Sequence, residues 1–225
     1  GVGFSYWGTP AEPPVGPSML LVWTGVGSDS TGDGSFESPY ATIGHAFSEM
    51  NSGDMVLVGP GVYNENISTY NMSGSMFGFA GSDSTVINGN GQGTILEIIQ
   101  GDWLVGGFTF TNGYADVNGG AVYINRGTIM MGDNLFIGNT AESEGGALFA
   151  TNSNVMLDSC RFINNSTNNF DGGAMKVSSY DSLSSTMVSV SNTLFMGNSA
   201  RAGAGAFLGT SNSAYMDVYM DSVVF

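Results

Sequence analysis

Basic residues are scarce in this chain. Four Lys and Arg stand against 19 Asp and Glu among 225 residues, which gives a formal net charge of −15 at pH 7. A surface of this sign repels phosphate groups and anionic lipids. The charge therefore argues against nucleic acid and anionic membranes as partners, and it favours small cations or a neutral surface.

Cysteines and long apolar runs are also scarce. Cys160 is the sole cysteine, which excludes an internal disulfide framework and a thiolate metal site. Apolar runs stay well short of the roughly 18 to 20 residues needed to cross a bilayer as a helix. We therefore predict no transmembrane segment, and the sequence contains no pattern typical of a Ser/His/Asp triad, a phosphate loop or a zinc site.

The second half of the chain contains a repeat. A Gly-Gly-Ala-apolar motif recurs nine or ten residues after a phenylalanine. The predicted copies are Gly119-Gly120-Ala121-Val122, Gly145-Gly146-Ala147-Leu148, Gly172-Gly173-Ala174-Met175 and a degenerate Ala204-Gly205-Ala206-Phe207. The phenylalanines are Phe110, Phe136, Phe162 and Phe195, and Phe225 lies where the next one is due. From each motif to the next phenylalanine the spacing varies from 17 to 23 residues. A repeat with one segment of nearly constant length and another that takes insertions is typical of a solenoid.

Short alternating strands separated by Gly, Asn, Asp and Ser predict that each repeat is one coil of a parallel β-helix. Stacking coils in register would place the phenylalanines in an interior column. Asn139, Asn165 and Asn198 each follow a phenylalanine by three residues. We expect their amides to form a ladder from coil to coil, and the glycines to occupy turns or close contacts.

The combination of Gly-Gly-Ala-apolar and Phe-x-x-Asn resembles the repeat of the polymorphic outer membrane proteins, over residues 107–225. Gly113 stands where that repeat has Asn, and Ala204 replaces a glycine. The resemblance implies a secreted, right-handed parallel β-helix of the pectin-lyase-like type.

The first half is similar to the opening of many extracellular β-helix proteins, in which a short helix plugs the end of the coil stack. We predict this capping segment at about residues 40–52, with Thr42 as N-cap and Ile43, Ala46, Phe47 and Met50 on the buried face. Coils would begin near residue 55, within one β-helix over residues 18–225 that continues beyond residue 225.

Residues 1–17 contain four prolines and cannot form a central strand. Two interpretations remain open for this segment. It is either a linker from an upstream domain or an arm that packs along a neighbouring molecule.

Acidic residues supply two candidate Ca²⁺ sites. Stacked repeats would bring together Asp116, Glu142, Glu144 and Asp171, and a separate acidic loop holds Asp29, Asp33 and Glu37. Carboxylate oxygens are the ligands that Ca²⁺ prefers. The alternatives are a solvated acidic edge or a catalytic group for the first set, and an ordinary acidic turn for the second.

Four Asn-x-Ser/Thr sequons are candidate glycosylation sites, at Asn66, Asn71, Asn164 and Asn165. A chain this rich in Asn, Ser and Thr produces about four such sequons by chance, so the pattern alone is weak evidence.

These features favour a secreted structural or adhesive protein, either a surface rod or the subunit of an extracellular filament, over an enzyme. The expected partners are further copies of itself or an extracellular surface or glycan, and no cofactor is required beyond the candidate Ca²⁺. The alternative is a polysaccharide lyase or glycoside hydrolase of the same fold. Few basic residues and no typical Asp-Asp pair weigh against that alternative.

Overall fold

The computed structural model describes residues 18–180, 185–210 and 215–225. The proline-rich segment 1–17 lies outside the described residues, so neither interpretation of it is tested. Within the described ranges there is one helix, α1 (Ile43–Glu49), and 21 strands. The strands are β1 (Met19–Val22), β2 (Met55–Val58), β3 (Gly61–Tyr63), β4 (Ile67–Tyr70), β5 (Gly74–Gly78), β6 (Thr85–Asn88), β7 (Leu96–Gly106), β8 (Thr109–Thr111), β9 (Tyr114–Ala115), β10 (Val122–Gly132), β11 (Leu135–Ile137), β12 (Thr140–Ala141), β13 (Leu148–Thr151), β14 (Asn154–Asp158), β15 (Arg161–Ile163), β16 (Ser166–Thr167), β17 (Met175–Ser179), β18 (Ser185–Ser191), β19 (Leu194–Met196), β20 (Ala206–Thr210) and β21 (Tyr215–Asp221).

Parallel pairing joins these strands into three sheets of 12, six and three strands. The main path of the largest sheet runs β1-β2-β5-β7-β10-β13-β17-β20, and the second sheet runs β19-β15-β11-β8-β6-β3. Successive turns of the chain thus lie one above the next. The fold is a parallel β-solenoid of about six turns, which confirms the predicted β-helix.

Stacked phenylalanines run through the second sheet as the repeat predicts. The ring centroids of Phe110 and Phe136 lie 5.1 Å apart, and those of Phe136 and Phe162 lie 4.5 Å apart. The column continues through Phe195 to Phe225 at 4.9 and 5.1 Å. Planes within 7 to 11° of parallel show that the rings stack face to face from coil to coil.

Aliphatic columns fill the interior beside the rings. Val105, Met131, Leu157 and Val190 pair in register across four coils and are at most 2% exposed. Burial of one such side chain stabilises the fold by about 1.5 to 3 kcal/mol. The interior is therefore one continuous core.

Helix α1 caps the first coils as predicted. The Thr42 side chain accepts a hydrogen bond from the backbone N–H of His45 at 3.2 Å, and Ile43, Ala46 and Phe47 are buried. The ring of Phe47 stacks on Trp103 with centroids 4.8 Å apart. The helix thereby closes the apolar interior where the coil stack starts, and its seven residues are too few to cross a membrane.

The outer edge of β1 is also covered. The Leu21 N–H donates to the Gly34 carbonyl at 2.8 Å, and the Trp23 N–H donates to the Tyr40 carbonyl at 2.8 Å. The Tyr40 N–H in turn donates to the Leu21 carbonyl at 2.9 Å. Residues 34–40 therefore occupy the backbone groups with which another strand would have paired.

The glycine motif has two structural causes. The first glycine has positive φ, at 71° for Gly119, 63° for Gly145 and 72° for Gly172. A Cβ on the second glycine would collide with the backbone of the following coil, as at Gly146 against the Gly173 carbonyl. Only glycine meets both demands without strain.

The predicted register of the fourth copy is wrong by one residue. Met175 pairs with Ala206, so the copy is Gly203-Ala204-Gly205-Ala206. Gly203 has the positive φ, at 59°, and Gly205 matches Ala174. The prediction placed the motif nine residues after Phe195, as in the first two copies, whereas Gly203 lies eight residues after Phe195.

Candidate functional site

The amide ladder is the most extensive polar feature of the solenoid. Asn165 Oδ1 accepts from both the backbone N–H and the Nδ2 of Asn139, each at 3.0 Å. Asn165 Nδ2 donates to the Phe136 carbonyl and to Asn198 Oδ1, also at 3.0 Å. Gly113 replaces Asn in the coil that contains Phe110, because a Cβ there would collide with the Gly120 carbonyl. The predicted ladder is confirmed.

Glu142, one of the predicted Ca²⁺ ligands, is held by neighbouring coils. Its carboxylate accepts from the Tyr114 hydroxyl and from Asn168 Nδ2, the latter at 2.7 Å. The hydrogen bond from Tyr114, followed by that from Asn168, lowers the pKa of Glu142. The carboxylate therefore links three coils, since Tyr114, Glu142 and Asn168 lie at successive levels.

Glu144 and Asp171 face a lysine. Lys176 Nζ lies 3.1 Å from Glu144 Oε1 and 3.8 Å from Asp171 Oδ2, and its side chain is only 8% exposed. The ammonium also lies 3.8 Å from the centre of the Phe207 ring. An internal ammonium thus lies beside both carboxylates, which the sequence pattern did not reveal, and Arg201 Nη2 lies 3.9 Å from Asp171 Oδ1.

The four carboxylates predicted at this corner therefore have different surroundings, and Asp116 is exposed to solvent. In the part of the chain that the structure describes, no three His, Cys, Asp or Glu side chains are placed to hold a metal ion together. Calcium binding at this corner stays a prediction.

The second predicted set is an ordered turn. Asp29 Oδ1 accepts from the backbone N–H groups of Ala41 and Thr42 at 2.8 and 3.0 Å, and its Oδ2 accepts from the Thr42 hydroxyl at 2.7 Å. Asp33 Oδ1 accepts from the Ser35 N–H at 2.9 Å, whereas Glu37 is exposed. Asp29 thus fixes the chain entering α1, and no contact joins the three carboxylates.

Glu65 approaches the start of α1 from the segment between β3 and β4. Its carboxylate oxygens accept from the backbone N–H groups of Ile43 at 3.0 Å and Gly44 at 2.7 Å. Burial raises the pKa of Glu65, although the two hydrogen bonds partly oppose that shift. This contact fastens the capping helix to the coils, and no local pattern predicts it because the partners are more than 20 residues apart.

An open groove of about 600 Å³ lies on the outer surface of the coils. Two carboxylates, Asp83 and Asp133, share its lining with the aromatic rings of Phe77 and Phe79. Asp83 also lies 3.6 Å from Arg161. Sequence reasoning missed this pair because 50 residues separate the two aspartates, and only the observed register brings them to one groove.

The candidate glycosylation sites divide into two groups. Asn66, Asn71 and Asn164 are exposed, whereas Asn165 is fully buried. Because the Nδ2 of Asn165 donates within the ladder, a glycan on that atom is incompatible with this fold. The prediction at Asn165 is therefore wrong, and the other three stay predictions.

Cys160 is a buried, free thiol within the core. Burial raises its pKa to about 12, so the thiolate is not available as a nucleophile near neutral pH. The residue therefore has a packing role. It lies at the position that Asn134 occupies in the previous coil.

No family model and no curated protein matches this chain. Among solved structures, the chain is similar to a rhamnogalacturonan lyase, with 13% identity and a TM-score of 0.36. The match covers 92% of this chain and 62% of that one, so this chain spans less than two thirds of its length. A likeness of this strength carries no argument about activity, and the assignment of a parallel β-solenoid rests on the strand pairing described above.

Proposed function

We propose that this chain is an extracellular structural or adhesive rod, which presents a repetitive polar surface or forms the subunit of a filament. The main support is the continuous ladder of buried rings and amides, because it ties each coil to the next across the described repeats. A core of this kind provides length and stiffness rather than a reaction centre.

The acidic side chains support the same proposal. Glu142 and Glu144 contact groups of neighbouring coils, and Asp171 lies 3.9 Å from Arg201 of the next coil, so they serve the stack. The resemblance of the repeats to polymorphic outer membrane proteins adds a secreted, cell-surface location to the proposal. No cofactor is needed for this role.

One observation favours a second candidate, a polysaccharide-acting enzyme. Asp83 and Asp133 line one groove together with two phenylalanines. Glycoside hydrolases commonly use two carboxylates beside the bound sugar, and aromatic rings can stack on sugar faces. This groove, rather than the Lys176-paired Glu144, is where hydrolysis would be expected.

A turnover assay separates the two candidates. The full chain and the double variant Asp83→Asn/Asp133→Asn are incubated with panels of neutral and acidic polysaccharides, with and without Ca²⁺. The structural proposal predicts no release of reducing ends or unsaturated products by the wild type above the double variant. Turnover that disappears in the double variant but persists in Glu144→Gln would establish the enzyme instead.

A further inference from the structure

An apolar groove on the first coils has no charged lining residue. About 390 Å³ in volume, it is lined mainly by Met19, Leu21, Trp23, Phe36, Leu57 and Phe79. Phe36 is 77% exposed, Met19 59% and Phe79 49%. A contiguous patch of exposed apolar side chains on a protein surface marks an interaction site.

The walls of this groove belong to ordered structure. Trp23 and Phe79 meet edge to face with their centroids 5.7 Å apart. Leu21 and Leu57 pair in register between β1 and β2. The groove is therefore preformed, which lowers the entropic cost of filling it.

The chain itself supplies a segment of matching chemistry. Residues 1–17 contain three aromatic residues within the stretch Phe4, Ser5, Tyr6, Trp7, and Glu12 is their single charged side chain. Aromatic side chains are the usual anchors of protein interfaces. In a chain of net charge −15, a nearly uncharged aromatic segment and an uncharged groove are complementary.

The segment joins the body at a fixed point. The Ser18 N–H donates to Asp54 Oδ1 at 2.6 Å, and the Ser18 carbonyl accepts from the Met55 N–H at 2.8 Å. Met19, the next residue, already lines the groove. Ser18, to which residues 1–17 are attached, thus lies at one end of the groove.

The length of the segment allows its aromatic residues to reach a second copy. Eleven residues separate Trp7 from Ser18, which in an extended polyproline-like chain corresponds to about 34 Å. The strand that forms one wall of the groove, from Met19 to Trp23, is only about 13 Å long. Pro10, Pro13, Pro14 and Pro17 each restrict a backbone φ angle, which lowers the conformational entropy that the segment would lose on docking to a second copy.

Direct stacking of one solenoid on the start of another is obstructed, because residues 34–40 already pair with the outer edge of β1. We infer that the Phe4–Trp7 segment of one copy docks in the apolar groove of a second copy. This inference deepens the proposed function, since a head-to-tail series of such contacts would link rods into a filament.

The test uses two complementary variants of the full chain, studied by sedimentation velocity over a range of concentrations. Phe4→Ala/Trp7→Ala removes the anchors, and Phe36→Ala/Phe79→Ala removes exposed parts of the groove. Tyr70→Ala, which truncates an exposed aromatic residue outside the groove, is the matched control. Melting temperatures establish that each variant is folded.

Wild type and Tyr70→Ala should associate with increasing concentration, and each double variant should associate at least about tenfold more weakly. An equimolar mixture of the two double variants should recover one contact and form heterodimers. Wild-type protein that stays monomeric, double variants that associate like wild type, or a mixture that forms no heterodimer would each overturn the inference. The turnover assay is independent of these outcomes, so failure of the arm contact and failure of the structural proposal are distinguishable.

Discussion

Single residues hold this solenoid together by repeating at the same position in successive coils. Asn165 is an example, because all four hydrogen bonds of its side chain in the ladder are made with adjacent coils. The amide is fully buried, so water cannot replace a lost partner. Its contribution to the free energy of unfolding should therefore exceed that of an exposed asparagine.

We predict that Asn165→Ala lowers the free energy of unfolding by about 3 kcal/mol, because it leaves buried polar groups of Asn139 and Phe136 without partners. Urea denaturation measures the change. Asn66→Ala is the control, since Asn66 is exposed and its Nδ2 makes one hydrogen bond, to the Thr94 carbonyl; its cost should stay below about 1 kcal/mol. Equal costs for the two substitutions would contradict the role given to the ladder.

Among the elements, the capping helix was the best predicted from the sequence. Thr42, Ile43, Ala46 and Phe47 follow a local pattern, so cap and buried face could be assigned without the fold. The phenylalanine column was equally accessible, because a glycine motif follows Phe110, Phe136, Phe162 and Phe195 within ten residues. Both features depend on residues that lie close together in the chain.

Contacts between elements were harder to predict. The Lys176 contacts with Glu144 and Asp171 depend on the position of β17, which contains Lys176, relative to the turns that precede the glycine motifs. The Asp83 and Asp133 pair depends on register across coils of unequal length. The one-residue error at Gly203 has the same origin, since an insertion or deletion in a loop shifts a motif without changing its composition.

The contact between Glu65 and α1 predicts a pH dependence. Burial makes the pKa of Glu65 higher in the folded chain than in the unfolded chain. The folded state then binds the proton more tightly, so the stability from this group is full below the unfolded pKa and is lost as pH rises through the folded pKa.

Glu65→Gln removes this titration. The melting temperature of the variant relative to wild type should therefore rise by roughly 2 °C between about pH 4 and pH 7. Thermal unfolding by circular dichroism at a series of pH values gives this difference, in which the other carboxylates cancel. Glu37→Gln, at an exposed position, controls for the loss of one negative charge. A relative melting temperature that is flat or falls with pH would show that burial does not dominate at Glu65.

At the scale of the whole molecule, the fold joins a stiff stack of coils to a capped start. The capped edge of β1 prevents simple continuation by another strand, and the apolar groove beside it offers a separate point of contact. Glu142 accepts hydrogen bonds from both adjacent coils, and Glu144 pairs with Lys176 of the next coil. These features together favour a rod that assembles or adheres over an enzyme built on the same solenoid.

We propose that this rod works outside the cell, and immunogold electron microscopy of the source cells tests that location. Antibodies raised against the folded chain are applied to intact cells and to sectioned cells, with cells lacking the gene as control. We expect gold on the surface of intact cells or along extracellular filaments. Gold confined to the cytoplasm of sectioned cells, with none on intact ones, would contradict it.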